Sequence, residues 1–112
     1  MPLITINVNS DEQGIFLSKI IEELRIFAAK KLSCNGRILN KNEISIRVSK
    51  SIISKSIADI ELTIMAYSYA ERIDNQDKIC LQFKEFLEEK SKEKFTFFIW
   101  LQLSELGHSV EE

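Results

Sequence analysis

Alternation of apolar and polar side chains predicts four β-strands along the chain. In residues 3–8 every second side chain is apolar, so one face of the strand is expected to be buried. Residues 44–49 alternate in the same way, with Arg47 pointing away from the apolar face. Longer alternating runs over residues 59–69 and 95–103 predict the remaining two strands. The last of these is apolar on both faces, which indicates a strand that is covered on both sides.

Two segments between these strands carry a helical period instead. Residues 16–32 have an apolar stripe at Phe16, Leu17, Ile20, Ile21, Leu24, Phe27, Ala28 and Leu32. Ser10 followed by Gln13 is a capping-box pattern for its start, and Asn35-Gly36 is a helix stop. A second helix is predicted to begin at residues 74–77 and to bury Ile79, Cys80, Phe83, Phe86 and Leu87. Residues 88–94 are predicted to form a solvated helix end and turn, and residues 50–56 a loop or short helical turn.

The order of elements is therefore strand, helix, strand, and then the same again. Each half is a βαβ unit whose crossover is long enough for parallel pairing. We expect a single α+β domain over residues 1–112, with a four-stranded sheet and two helices on one face. The other face would carry Thr5, Arg47, Met65, Tyr67, Phe98 and Trp100. Exposed aromatic patches usually indicate a partner, so we expect a homo-oligomer whose sheets pack together.

Composition excludes several classes of function. The net charge is −2, so neither a nucleic acid nor an anionic membrane is an expected partner. No apolar run approaches the ~20 residues of a membrane span, and there is no signal peptide, so a cytoplasmic location is expected. Cys34 and Cys80 are predicted to be free thiols, and His108 alone cannot complete a metal cluster, so neither a metal nor another cofactor is predicted. A serine or cysteine triad would depend on His108 near the tail.

Pro2 is the candidate catalytic residue. It follows the initiator methionine and opens the first strand, where proline is tolerated. Removal of Met1 would leave Pro2 with a free secondary amine, and α-amino groups titrate around 7.7–8.0. A rigid strand start would hold such a base in one place. The alternative is that Met1-Pro2 is an accident of the translation start.

Two known architectures share this order of elements. One is the ferredoxin-like fold, which includes RNA-recognition domains. The RNA interpretation is disfavoured because the third strand lacks the K/R-G-F/Y-G/A-F pattern, the first strand lacks a stacking aromatic, and the chain is acidic.

The other architecture is that of the tautomerase superfamily. The chain resembles this superfamily in Met1-Pro2 at the start of the first strand, in its two βαβ halves and in its length. Within it, residues 2–8, 44–48 and 62–72 look most like 5-carboxymethyl-2-hydroxymuconate isomerase, with a weaker match at residues 102–106 followed by His108. The resemblance implies a homotrimer with active sites near subunit boundaries. It also implies an isomerase that acts on a small carboxylate substrate in the catabolism of aromatic compounds.

The same resemblance implies roles for three residues. Pro2 would shuttle a proton between carbons of a dienol or keto acid, while Arg72 and Arg47 would bind carboxylates. Ser45 stands where the family has a further arginine, and residues 68–71 replace a glycine-rich turn. Because Glu71 lies beside Arg72, a dianionic substrate is disfavoured.

Each implied role has a plainer alternative. Arg47 could pair with Glu61 on a neighbouring strand, and Arg72 could be a solvated loop residue. If Arg72 instead binds a carboxylate, its loss is still expected to change stability little, because a surface arginine contributes little. Phe98 and Trp100 could pack at a subunit interface rather than line a substrate. The whole chain could be a non-catalytic module of the tautomerase fold that serves binding or assembly.

Overall fold

Two βαβ units form the structure, as the sequence predicts. The computed structural model describes residues 2–33, 38–51 and 57–105. In chain order the elements are β1 (Leu3–Val8), α1 (Asp11–Leu32), a 3₁₀ turn (Lys41–Glu43), β2 (Ser45–Lys50), β3 (Ile60–Tyr67), α2 (Ala70–Asp74), α3 (Gln76–Lys90) and β4 (Phe97–Ser104). The predicted α+β fold with a four-stranded sheet and two main helices is confirmed.

The sheet has the strand order β2-β1-β3-β4. Within each half the two strands are parallel, whereas the two halves meet through antiparallel β1 and β3. Thr5 lies directly opposite Thr63 at the centre of that antiparallel pair. An approximate twofold axis therefore passes between these two threonines and relates one half of the domain to the other.

The core lies between the sheet and the long helices α1 and α3. Ile4 and Ile6 of β1 and Leu62 of β3 are fully buried, as the alternating pattern requires. Leu24 of α1 and Phe83 of α3 pack into the same cluster, and each is 0% exposed. Burying a side chain of this kind stabilises the fold by ~1.5–3 kcal/mol, so the apolar face of the sheet is what holds the helices in place.

The predicted N-terminal cap of α1 is present in a modified form. The Gln13 N–H donates to Ser10 Oγ at 3.3 Å, as the capping-box pattern predicts. The reciprocal bond differs, because Gln13 Oε1 accepts from the Asn9 N–H at 2.7 Å rather than from Ser10. The helix stop predicted at Asn35-Gly36 lies outside the described residues, as do Cys34, residues 52–56 and His108.

Two strand boundaries differ from the prediction by two residues, each for a local reason. The third strand ends at Tyr67 and not at residue 69, because Tyr69 is the N-cap of the short helix α2, which the sequence pattern did not predict. β4 begins at Phe97 because Asp59 and Thr96 bind each other just before β3 and β4 start. The Asp59 N–H donates to Thr96 Oγ1 at 2.9 Å, and the Thr96 N–H donates to Asp59 Oδ2 at 3.0 Å.

The sheet face opposite the helices carries the residues that the alternation assigned to it. Its outer part on β4 is aromatic, with the Phe98 and Trp100 ring centroids 4.8 Å apart. Trp100 is 48% exposed and Tyr67 44% exposed. We call this surface the open face. Among the described residues, no helix is long and apolar enough to cross a membrane.

Candidate active site

One end of the sheet brings together Pro2 and Arg72. Because β1 and β3 are antiparallel, the start of β1 lies beside the end of β3. The chain leaves β3 at Tyr67 and enters α2, which contains Arg72. The C-terminal end of α1 lies at the same end, since the Arg72 side chain binds the carbonyl of Leu32. We call this region the Pro2 end.

Pro2 is buried at the start of β1. Its carbonyl accepts a hydrogen bond from the Ser45 N–H at 3.2 Å, which fixes it against the start of β2. One residue along, Leu3 pairs with Ser45 on one side and with Met65 on the other. Extension of both registers by one residue places Pro2 between Ile44 and Ala66, which are 2% and 1% exposed. The surroundings of Pro2 in the sheet are therefore apolar.

Arg72 is 5% exposed, and its guanidinium binds main-chain carbonyls from two separate elements. Nε and Nη2 donate to the Leu32 carbonyl at 3.2 and 2.8 Å, and Nη1 donates to the Tyr67 carbonyl at 3.0 Å. The guanidinium also lies over the Tyr69 ring, 5.1 Å from its centroid. Arg72 thus ties the last turn of α1 to the end of β3.

The interpretation of Arg72 as a solvated loop residue is wrong, since the residue is helical and buried. The expectation that its loss barely changes stability assumed a surface position, which Arg72 does not have. A carbonyl at a helix C-terminus has no partner within its own helix, and the guanidinium supplies one for Leu32. A charged group placed here needs such partners, because an unpaired buried cation is costly.

Arg47 lies elsewhere, on the open face of the outer strand β2. It is exposed, and its neighbour on β1 is Thr5. The predicted alternative of pairing with Glu61 on a neighbouring strand is wrong. Glu61 belongs to β3, and β1 lies between β2 and β3.

The structure of one chain does not bring Arg47 next to Pro2. They are three residues and one strand apart, which strand geometry converts to roughly 11 Å between Cα atoms. Arg47 instead lines a cleft of about 410 Å³ at the start of β2, together with Glu22, Arg25 and Ser45. The pKa of Glu22 is lowered by its hydrogen bond to Lys41 and next by its hydrogen bond to Arg25.

Two tyrosines at the Pro2 end were not predicted to belong to a site. The rings of Tyr67 and Tyr69 lie 4.8 Å apart, and Tyr69 supports the Arg72 guanidinium. The available sequence signal was the spacing of two tyrosines and an arginine directly after a strand. That spacing did not indicate a stack, because helix α2, which begins after Tyr69 and contains Arg72, was not predicted.

The surroundings of Cys80 disfavour the reactive thiolate form of its side chain. Burial raises the pKa of the Cys80 thiol, the Asp77 carboxylate raises it further, and a backbone hydrogen bond involving Leu101 opposes both effects. Cys80 lies on α3 against β4, where it is half-buried rather than fully buried as predicted. Within residues 2–33, 38–51 and 57–105, no group of three or more His, Cys, Asp or Glu side chains could hold a metal ion.

Comparison of the whole structure with solved structures shows which fold it shares. A macrophage migration inhibitory factor-like protein from Entamoeba histolytica matches with a TM-score of 0.68 and 12% identity, over 99% of this chain and 95% of that one. A 5-carboxymethyl-2-hydroxymuconate delta-isomerase matches with a TM-score of 0.61 and 10% identity, over 100% and 87% of the two chains. Leishmania major MIF2 matches with a TM-score of 0.54 and 12% identity, over 99% and 93%.

By sequence, no known family profile and no curated protein matches the chain. The structural matches cover nearly all of it and share its two βαβ units, so the chain has the fold of the tautomerase superfamily. The resemblance seen in the sequence is confirmed at the level of fold.

Proposed function

We propose that this protein is an isomerase that moves a proton on a small dienol or keto carboxylic acid, with Pro2 as general base. The observation that carries the proposal is the buried position of Pro2 at the start of a central strand. That strand belongs to a fold shared with a protein named as an isomerase. The sheet order supports the proposal because a central strand holds its first residue more firmly than an outer strand would.

Apolar surroundings suit the role proposed for Pro2. Once Met1 is removed, the amine of Pro2 would lie near Ile44 and Ala66, both buried. Removal of an amine from water disfavours its protonated form. A neutral amine near pH 7 can accept a proton from carbon and return it to another position on the same substrate.

The substrate carboxylate requires cations, and we assign this role to Arg72 and Arg47. A guanidinium has five N–H donors, and three of those of Arg72 bind carbonyls. The other two N–H groups of the guanidinium have no hydrogen-bond partner among the described residues, so they could bind a substrate carboxylate. Arg47 is exposed on the open face, so it would reach a substrate at the Pro2 end of a neighbouring subunit. This arrangement requires a homo-oligomer, for which we propose a trimer.

A second candidate function is a non-catalytic module that serves binding or assembly. The engagement of the Arg72 guanidinium by two carbonyls favours it, because a fully structural arginine accounts for those contacts without a substrate. The aromatic open face of Tyr67, Phe98 and Trp100 is consistent with both functions.

The decisive experiment compares protein with and without Met1 from one preparation. Intact mass identifies the two forms, and ketonisation of phenylenolpyruvate or isomerisation of a muconate-type dienoic acid measures turnover. We expect turnover from the processed form alone, because only a free amine can act as base. The low-pH limb of kcat/KM should report the Pro2 amine, and processed Pro2→Ala, which keeps a primary amine, should retain partial activity.

Equal activity of the two forms would exclude Pro2 as the base. An inactive processed form that remains folded and oligomeric would instead favour the binding or assembly module.

A further inference from the structure

A second cleft lies between the C-terminal end of α1 and the N-terminal end of α3. Its volume is about 270 Å³, and its lining includes Lys30, Lys31, Arg72, Lys78, Asn75 and Glu71. Neither Pro2 nor Arg47 lines it. The cleft therefore adjoins the proton-transfer site proposed above and shares only Arg72 with the residues assigned to that site.

Positive charge is concentrated in this cleft. Four cationic side chains and one carboxylate line it, which sums to +3 in a chain whose net charge is −2. The carboxylate, Glu71, has an interaction of its own within the structure. A concave surface with one sign of charge focuses its field into the cleft and raises the local concentration of counter-ions.

The helix dipoles explain only part of this arrangement. Lys30 and Lys31 lie in the last turn of α1, where cations are favoured by the negative end of the helix. Lys78 is in the first turn of α3, where the positive end of the helix disfavours a cation. An anion in the cleft would offset both the Lys78 charge and the dipole of α3.

Arg72 contributes the most firmly held of these charges. The three carbonyl bonds fix its guanidinium in place, so the cost of ordering this side chain is already met before a ligand binds. The lysines around it are mostly exposed and can close on a ligand. The cleft thus combines one preorganised cation with adaptable ones.

We infer that this cleft binds a small polyanion, either a phosphate ester or a polycarboxylate. Both ligand types offer several acceptor oxygens with more than one negative charge, which is what clustered ammonium and guanidinium groups bind. The cleft lies in the helix layer, away from the open face of the sheet. Oligomerisation through the open face would leave it accessible.

The test uses pyrophosphate and citrate as probes of the two ligand types. Titration of ¹⁵N-labelled full-length protein at low salt should give saturable shifts of the amide signals of Lys30, Lys31, Asn75 and Lys78. A Lys31→Gln/Lys78→Gln double variant should bind about tenfold more weakly, the scale of two lost charge contacts. Lys78 is exposed, and Lys31 is half-buried with its ammonium 5.6 Å from the Phe27 ring centroid. Glutamine keeps most of the side-chain length at both positions, so the variant should fold, and circular dichroism checks this.

The matched control is Lys19→Gln/Lys84→Gln, which removes the same charge from the same two helices outside the cleft. It should bind the probes like the unmodified protein. Preference for pyrophosphate would identify a phosphate ester as the ligand type, and preference for citrate a polycarboxylate. Absence of saturation up to about 10 mM of both probes, or equal weakening in the two double variants, would overturn the inference. Turnover by Pro2 is measured separately, so neither result depends on it.

Discussion

The two βαβ halves of this molecule share one topology but connect their first strand to their helix differently. In the first half β1 reaches α1 through Asn9 and Ser10 alone, and side chains cap the helix. In the second half the chain forms α2 between β3 and α3, and α3 has no side-chain cap. The longer connection carries Arg72 into the space beside the end of α1. The second half therefore adds the Arg72 contact to the β1–β3 pairing that already joins the two halves.

The outer strands of the two halves differ as well. Across the centre of the open face, one row of paired residues runs from Arg47 through Thr5 and Thr63 to Trp100. The inner positions are the same residue type, while the outer ones are a cation and an indole. The inner strands β1 and β3 pair with a strand on both sides, so their side chains are constrained by two neighbours. The outer strands β2 and β4 each have one free edge, where a side chain can contact another molecule. The two halves therefore differ in this row at the outer-strand positions and match at the inner ones.

The largest expected effect is on assembly through the aromatic half of the open face. Trp100→Glu should convert the proposed trimer of about three times 13.0 kDa into monomers, because a buried unpaired carboxylate costs several kcal/mol (~3–5). Light scattering at micromolar concentration measures this. Ile26→Glu is the control, since Ile26 is 55% exposed on α1, away from the sheet. A monomeric unmodified protein would contradict the proposed oligomer.

The next largest effect separates the two arginines. Arg72→Ala should lower the free energy of unfolding by ~3 kcal/mol, because it leaves the Leu32 and Tyr67 carbonyls without their charged donor. Arg47→Ala should change it by less than ~0.5 kcal/mol, because Arg47 is an exposed residue. Urea denaturation followed by circular dichroism measures both.

Activity then tests whether Arg72 has more than this structural role. Under conditions where the variant remains folded, loss of a substrate contact should lower kcat/KM about tenfold, or ~1.4 kcal/mol. Unchanged kcat/KM together with the stability loss would make Arg72 purely structural. Arg72→Lys helps to separate the two, because lysine keeps the charge but not the forked geometry.

A smaller effect is expected from the helix starts. Ser10→Ala should destabilise the protein by ~1 kcal/mol, since Ser10 Oγ accepts from the Gln13 N–H. Asn75→Ala at the start of α3 should cost about half of that or less, because its side chain makes no capping bond to α3 and donates only an exposed hydrogen bond, from Nδ2 to the Glu71 carbonyl at 2.7 Å. Similar losses at both positions in thermal unfolding would show that the difference in capping has no energetic consequence.

The smallest expected effect is on the reactivity of Cys80, which lies on α3 in the second half. Its pKa is raised by burial and then by the Asp77 carboxylate. At pH 8 a raised pKa means less thiolate, so iodoacetamide should react with Cys80 more slowly than with a free cysteine. Asp77→Asn should speed the reaction by about twofold or less, because one partly screened charge is removed. A Cys34→Ser background isolates the signal, and reaction at the rate of a free cysteine would contradict the packing of Cys80.

Local patterns were sufficient to predict most of the secondary structure. Alternation identified each strand and the face it buries, and the stripe from Leu17 to Leu32 identified α1, because each signal depends on neighbours within one or two turns. The exception was α2, whose residues 70–74 are too few to show a helical period. The Ser10–Gln13 pair predicted the cap but not that Gln13 would bind Asn9.

The candidate site was harder to predict from local sequence patterns. Pro2 could be singled out because its chemistry depends on its position in the chain. The burial of Arg72 could not be predicted from the sequence, because its partner Leu32 lies 40 residues away along the chain. The proposed pairing of Arg47 with Glu61 failed because it assumed adjacent strands.

What the sequence determined by itself is therefore the type and facing of the four strands and the two long helices, together with the proline that opens the first strand. Only the tertiary structure decided that β1 and β3 lie at the centre of the sheet, that Arg72 spans two elements, and that four cations surround one cleft. The physical reason is one of range. Periodicity arises from backbone geometry over a few residues, whereas neighbours in space are selected by packing and charge across the whole chain.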